Sequence, residues 1–113
     1  MKNSNLILLT VSLLAASPVI AASPGLAGDG EALAKKNNCM MCHSLEGKST
    51  GPTFQNIATK YKTGKDAQAQ LEKKVRSGGS GVWGSMPMPP TAKSVSDSDI
   101  KSMVQWILSI KPR

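Results

Sequence analysis

The sequence predicts an all-α protein, about four helices packed around one core. Three observations carry that expectation. Apolar residues recur at helical spacing over 66–77 and again over 96–110. No stretch sustains the apolar–polar alternation that a half-buried strand needs, so no sheet is expected. Cap and stop residues bracket the periodic segments: Thr53, Asp66 and Ser96 before them, Gly78 and Pro112 after.

Taken in order, the chain opens with Lys2 and an apolar run from Leu6 to Ala16, interrupted only by Thr10 and Ser12. Pro18 breaks the run, and Val19-Ile20-Ala21-Ala22 offers small residues for cleavage. Residues 1–22 are expected to be a cleaved signal peptide, with the cut after Ala21 or Ala22, and residues 23–113 the mature domain. The apolar run is about half the ~20 residues of a spanning helix, so no stable membrane insertion is expected. Residues 23–28 contain Pro24, Gly25 and Gly28 and are expected to be loose. Asp29 is expected to cap a first helix through Lys36, acidic at its start and basic at its end, carrying Cys39 near its C-terminus.

Residues 44–53 are rich in Gly, Ser and Thr and read as loop, closed by Gly51-Pro52. Thr53 is expected to cap a second helix through about Lys60, with Phe54, Ile57 and Ala58 on one face. A third helix from Asp66 to Ser77 sets Ala67, Leu71 and Val75 on one side, and Gly78 stands where its end needs a left-handed residue. Residues 78–95 are a long irregular segment with Val82, Trp83, Met86 and Met88, braced by Pro87, Pro89 and Pro90. A disordered linker would be polar, so this loop is expected to pack on something. Ser96 and Asp99 resemble a capping box for a last helix with Ile100, Met103, Val104, Ile107 and Ile110 on one face and Trp106 beside them.

A mature domain this short buries a limited core and benefits from a cofactor; without one the polypeptide is expected to be largely unfolded. Phe54, Tyr61, Trp83 and Trp106 are its only aromatics. The net charge of +7 makes an acidic protein, anionic lipid or nucleic acid the candidate partners. The lysines are scattered and not interleaved with aromatics, so nucleic acid fits worst, and none is expected.

The chemistry concentrates in Cys39-Met-Met-Cys42-His43, which holds both cysteines and the one histidine. A thioredoxin-like pair needs a βαβ context that is not visible. A structural zinc site needs two more Cys or His ligands beside the cysteine pair, and the chain has only one. A disulfide here closes a tiny loop and stabilises little. Thiols three positions apart followed by an imidazole suit covalent haem attachment, with His43 on the iron. No second histidine is present, which excludes a bis-histidine haem. A methionine, a lysine or an open position remains for the other face. Met1 is the initiator, Met40 and Met41 lie between the cysteines, and Met103 falls on an apolar helix face. Met86 and Met88 remain, and prolines on both sides of Met88 lower the entropy cost of holding its sulfur in place.

Together, Cys39-Met-Met-Cys-His43, Gly51-Pro52, Gly81-Val-Trp-Gly84 and Met86-Pro-Met-Pro-Pro90 resemble the short bacterial class I cytochromes c of the c-551 and c-552 type. The resemblance covers essentially the whole mature chain. It implies the small class I cytochrome c fold, with N- and C-terminal helices crossing over one covalently bound haem c. Cys39 and Cys42 would be the thioether attachments, His43 the proximal ligand, Met88 the distal ligand and Met86 a packing residue. The Pro52 carbonyl would accept the imidazole's other ring proton, and the Trp83 indole would meet a propionate, as Lys74 also would. Thr91 departs from the family, where an Asn or Gln amide often contacts the methionine sulfur.

The function implied is a soluble periplasmic one-electron carrier and not an enzyme, its low-spin haem ligated by His and Met. It would be a monomer shuttling between respiratory complexes and a terminal reductase or oxidase. Partners would be redox proteins with acidic docking surfaces: an oxidase, a nitrite reductase, a peroxidase or a quinol–cytochrome c reductase. Lys35, Lys36, Lys48 and Lys93 are candidates for steering them. A haem peroxidase or gas sensor with an open distal face, and a subunit of a larger complex, are the competing readings.

Overall fold

The structure, a computed structural model, describes residues 26–113; the expected signal peptide, its cleavage site and the start of the mature chain lie outside them. Four α-helices follow one another: α1 (Leu26–Lys36), α2 (Phe54–Tyr61), α3 (Ala67–Ser77) and α4 (Asp97–Ser109), with a 3-10 turn over Cys39–Met41. No strand occurs among the described residues, and the one β-like feature is an isolated antiparallel bridge between Gly79 and Met88.

The first helix differs from the sequence expectation at both ends. The backbone is already helical at Leu26, so Asp29 lies in the first turn and not at the cap. A carboxylate there still favours the helix dipole. The helix stops at Lys36, short of Cys39. The Asn37 N–H donates to the Leu33 carbonyl at 3.0 Å and the Asn37 amide to the same oxygen at 2.8 Å. Asn38 then adopts a left-handed φ of 61°. That conformation, which Asn tolerates, redirects the chain and places the cysteines on a turn of their own.

Two of the other caps follow the sequence. Thr53 Oγ1 accepts the Asn56 N–H at 3.1 Å, and Ser96 Oγ accepts the Asp99 N–H at 3.0 Å. Asp66 precedes α3 without a side-chain cap bond. Phe54, Ile57, Leu71, Ile100, Met103, Val104, Trp106 and Ile107 belong to one buried cluster, Ala58 and Ala67 are buried too, and Val75 and Ile110 pack on the cluster half-exposed. Burying a Val, Leu, Ile, Phe or Met side chain contributes about 1.5–3 kcal/mol.

Helix α4 organises the rest, because α1, α2 and α3 all pack on it, α1 most extensively. The α1–α4 crossing turns on Gly30. A Cβ there would overlap the Ser102 carbonyl and the Trp106 Cβ, so glycine is what lets the two backbones approach. That approach explains why α1 begins early: packing on α4 overrides the weak local signal of Leu26-Ala-Gly28.

Candidate haem-binding site

The cysteine turn is compact. The Cys42 and His43 N–H groups both donate to the Cys39 carbonyl, at 3.3 and 3.0 Å, so two thiols and an imidazole leave one turn of backbone. Cys39 is half-buried and Cys42 exposed, and both are free thiols. Burial pushes the Cys39 thiol above its ordinary range, opposed in part by a backbone hydrogen bond.

His43 is buried and held from two directions. Its Nδ1 lies 2.7 Å from the Pro52 carbonyl oxygen. A carbonyl can only accept, so Nδ1 carries the proton and Nε2 is left as the basic nitrogen. Gly51 makes the approach possible, since a Cβ at that position would sit 3.0 Å from His43 Cε1. The ring packs on Phe54 at 5.3 Å between centroids, and Phe54 in turn meets Trp106 edge-on at 5.0 Å. An aromatic chain thus runs from α4 to the imidazole. The 44–53 loop is tied down by Ser49 Oγ, which donates to the Cys42 carbonyl at 2.7 Å and accepts the Ser44 N–H at 2.8 Å.

The methionine segment is built differently. Gly79 and Met88 exchange both backbone hydrogen bonds, N–H to carbonyl at 3.0 and 2.9 Å, closing the intervening residues into a loop. Gly78, with φ 66° and ψ −158°, occupies a region that only glycine enters readily. Its Cα faces the Met88 carbonyl so closely that a Cβ would overlap it. Thr91 does not point an amide-like group at sulfur: its hydroxyl donates to the Val75 carbonyl at 2.7 Å. Trp83 is half-exposed with the Lys60 ammonium 5.5 Å from its ring centroid. No hydrogen-bond partner holds its indole among the described residues.

These parts meet at one cavity of ≈ 380 Å³, within the size range of cofactor pockets. Cys39, Cys42, His43, Pro52, Trp83 and Met88 all line it, so the six residues singled out in the sequence are brought together. The walls are Phe54, Ile57, Leu71, Val75, Met103 and Ile107. Met86 also borders it but is 66% exposed, whereas Met88 is half-buried. Lys74 lines the cavity; Lys35, Lys36, Lys48 and Lys93 do not. Of the steering lysines expected from sequence none is a lining residue; Lys74 lines the cavity, and Lys60 stands over Trp83, which borders it. Sequence reasoning missed the Phe54 stack on His43 and the Lys60–Trp83 contact. Both join residues without a shared local motif, although Phe54 follows closely on Gly51-Pro52.

Two free thiols and a basic imidazole nitrogen at an apolar cavity, inside an all-α shell, define a covalent haem protein; the donors and the walls fit the group. A sequence model described as "Cytochrome c" matches residues 27–111. Cytochrome c-552 of Hydrogenobacter thermophilus is 49% identical over 96 residues, covering 82% of this chain and 96% of the relative. Cytochrome c-551 of Pseudomonas aeruginosa is 38% identical over 101 residues, covering 89% and 94%. The crystal structure of Nitrosomonas europaea cytochrome c552 superposes with a TM-score of 0.67 at 49% identity, covering 72% of this chain and 99% of that one. The chain belongs to the cytochrome c family, as a class I c-type cytochrome with covalently attached haem c. It is an electron carrier and not an enzyme.

Proposed function

We propose that the mature chain, residues 23–113, is a soluble periplasmic monohaem carrier, exported by the signal peptide 1–22. It shuttles single electrons between respiratory complexes and a terminal reductase or oxidase. In this reading Cys39 and Cys42 would hold the haem through thioethers, and His43, through Nε2, and Met88 would be the protein's two iron ligands. The observation that carries the reading is the pairing of a buried His43, its Nδ1 committed to Pro52, with a Met88 pinned by its own backbone at the same cavity. Haem, when bound, supplies a one-electron ferric/ferrous couple.

The chain's residues set the conditions for that couple. The Pro52 carbonyl orients His43 and raises its basicity. A thioether from Met88 would favour the ferrous state and raise the potential. With His43 and Met88 both holding the iron, no coordination site would be left for a substrate, which favours transfer over a peroxidase or sensor reading. The apolar walls exclude water, and Lys74 and Trp83 are suited to meet the propionates. Among the described residues no helix is long and apolar enough to cross a membrane. Exposed Met41, Val82, Trp83 and Met86 offer apolar contact to a partner, with the net positive charge steering acidic docking surfaces toward it. An oxidase, nitrite reductase, peroxidase or quinol–cytochrome c reductase fits that description.

The ligand assignment is tested by absorption spectra of the ferric wild-type, Met86→Leu and Met88→Leu proteins. The sulfur-to-iron charge-transfer band should survive Met86→Leu and vanish in Met88→Leu. The reverse pattern overturns the assignment, and rapid carbon monoxide binding to the ferrous wild type would restore the open-face reading.

A further inference from the structure

The segment carrying Met88 is held from one place, the last turn of α3. Gly78 and Gly79 hold it at Met88 and just after it, through the close approach and the paired backbone bonds already described. After Met88 the hold passes to polar groups. Arg76 sends Nη1 to the Ala92 carbonyl at 3.1 Å and Nη2 to the Val95 carbonyl at 2.7 Å, while Nη2 also pairs with Asp97 Oδ1 at 2.6 Å. One guanidinium thus spans the whole connection between the methionine segment and α4. Its side chain is 30% exposed and that of Asp97 is 96% exposed. A pair with one partner so open to water contributes little. Both carbonyl bonds are charge-assisted, the one to Val95 partly shielded and the one to Ala92 exposed, and they act beside Thr91, whose N–H and hydroxyl donate to carbonyls of the same turn.

We propose that Arg76 is a positioning residue for Met88. By gripping Ala92 and Val95 it limits how often the segment swings away from the cavity, and so how readily an external ligand takes the place of the thioether. The inference rests on Met88 being the distal ligand. The flat fork of Arg reaches two carbonyls at once, a geometry that the single ammonium of Lys does not reproduce.

The test uses the ferric holoprotein with imidazole as the entering ligand, in stopped flow, reading the rate at which binding saturates. That rate reports segment opening. Arg76→Met should raise it about tenfold or more, the scale of one to two lost hydrogen bonds. Arg76→Lys should raise it less, and Asp97→Asn should stay within about twofold. Val104→Ala, a core truncation away from the cavity lining, should lower the unfolding midpoint and leave the rate alone. An unchanged rate in both Arg76→Met and Arg76→Lys, with only the midpoint lowered, would make Arg76 merely structural and overturn the proposal. A rise in Asp97→Asn equal to that in Arg76→Met would also overturn it, by assigning the hold to the ion pair. Failure of the ligand reading looks different: the charge-transfer band would then persist in Met88→Leu, and that substitution would leave the imidazole rate unchanged.

Discussion

The imidazole side and the thioether side of the cavity are fixed by different physics. His43 is 9% exposed and rests on Phe54, itself 2% exposed and backed by Trp106. Its polar partners, the Cys39 and Pro52 carbonyls, lie close along the chain. Met88 instead sits in a segment with Val82 53% and Met86 66% exposed, held by backbone bonds and by Arg76. One ligand is thus anchored by the hydrophobic core and the other by hydrogen bonds at its rim. Core anchoring resists local opening because it yields only when the core does; rim anchoring opens at a lower cost. The difference places any ligand exchange on the methionine side.

Three substitutions would break or sharpen that contrast. Phe54→Ala should have the largest effect, about 3–5 kcal/mol of stability, because it empties the core beneath the imidazole. Urea unfolding of the holoprotein measures it, and a loss below about 1 kcal/mol would mean that His43 does not depend on the core. Gly78→Ala should cost about 1–3 kcal/mol, from a left-handed backbone and a Cβ against the Met88 carbonyl. It should also weaken the sulfur–iron band, whereas Gly81→Ala, with φ 109° but open space around its Cβ, should keep the band. Equal bands in the two variants would detach Gly78 from Met88. Thr91→Val should be smallest, about 1 kcal/mol for one lost hydroxyl bond to Val75. A gain in stability there would argue against Thr91 as a tie between loop and helix.

Much of the fold could be read in advance because its signals are local. Thr53 and Ser96 announce α2 and α4 through side-chain oxygens that reach only three residues along the chain. The buried faces of α2 and α4 follow from spacing alone. The start of α1 could not be read, because Pro24, Gly25 and Gly28 look like loose chain, and only the fit of Gly30 against Ser102 and Trp106 shows what seats α1 on α4. The cysteine turn was legible as five contiguous residues, and Met88 stood out through the prolines beside it. Arg76 was not: on the polar face of α3 it looks like any solvated cation, and its acceptors at 92, 95 and 97 are set by the fold. The cavity joins groups from five separate stretches of chain, and no periodicity encodes that convergence.

Gly30 and Trp106 lie far apart along the chain, so their contact closes only when α1 and α4 dock. Two cavity walls, Met103 and Ile107, arrive on that same helix. Until they do, the turn with both thiols stands open on that side. Bringing such distant residues together costs closure entropy that grows only with the logarithm of the intervening length, so their separation adds little penalty. Docking of α4 is thus the step that closes the cavity over Cys39 and Cys42, which stay within reach until it happens.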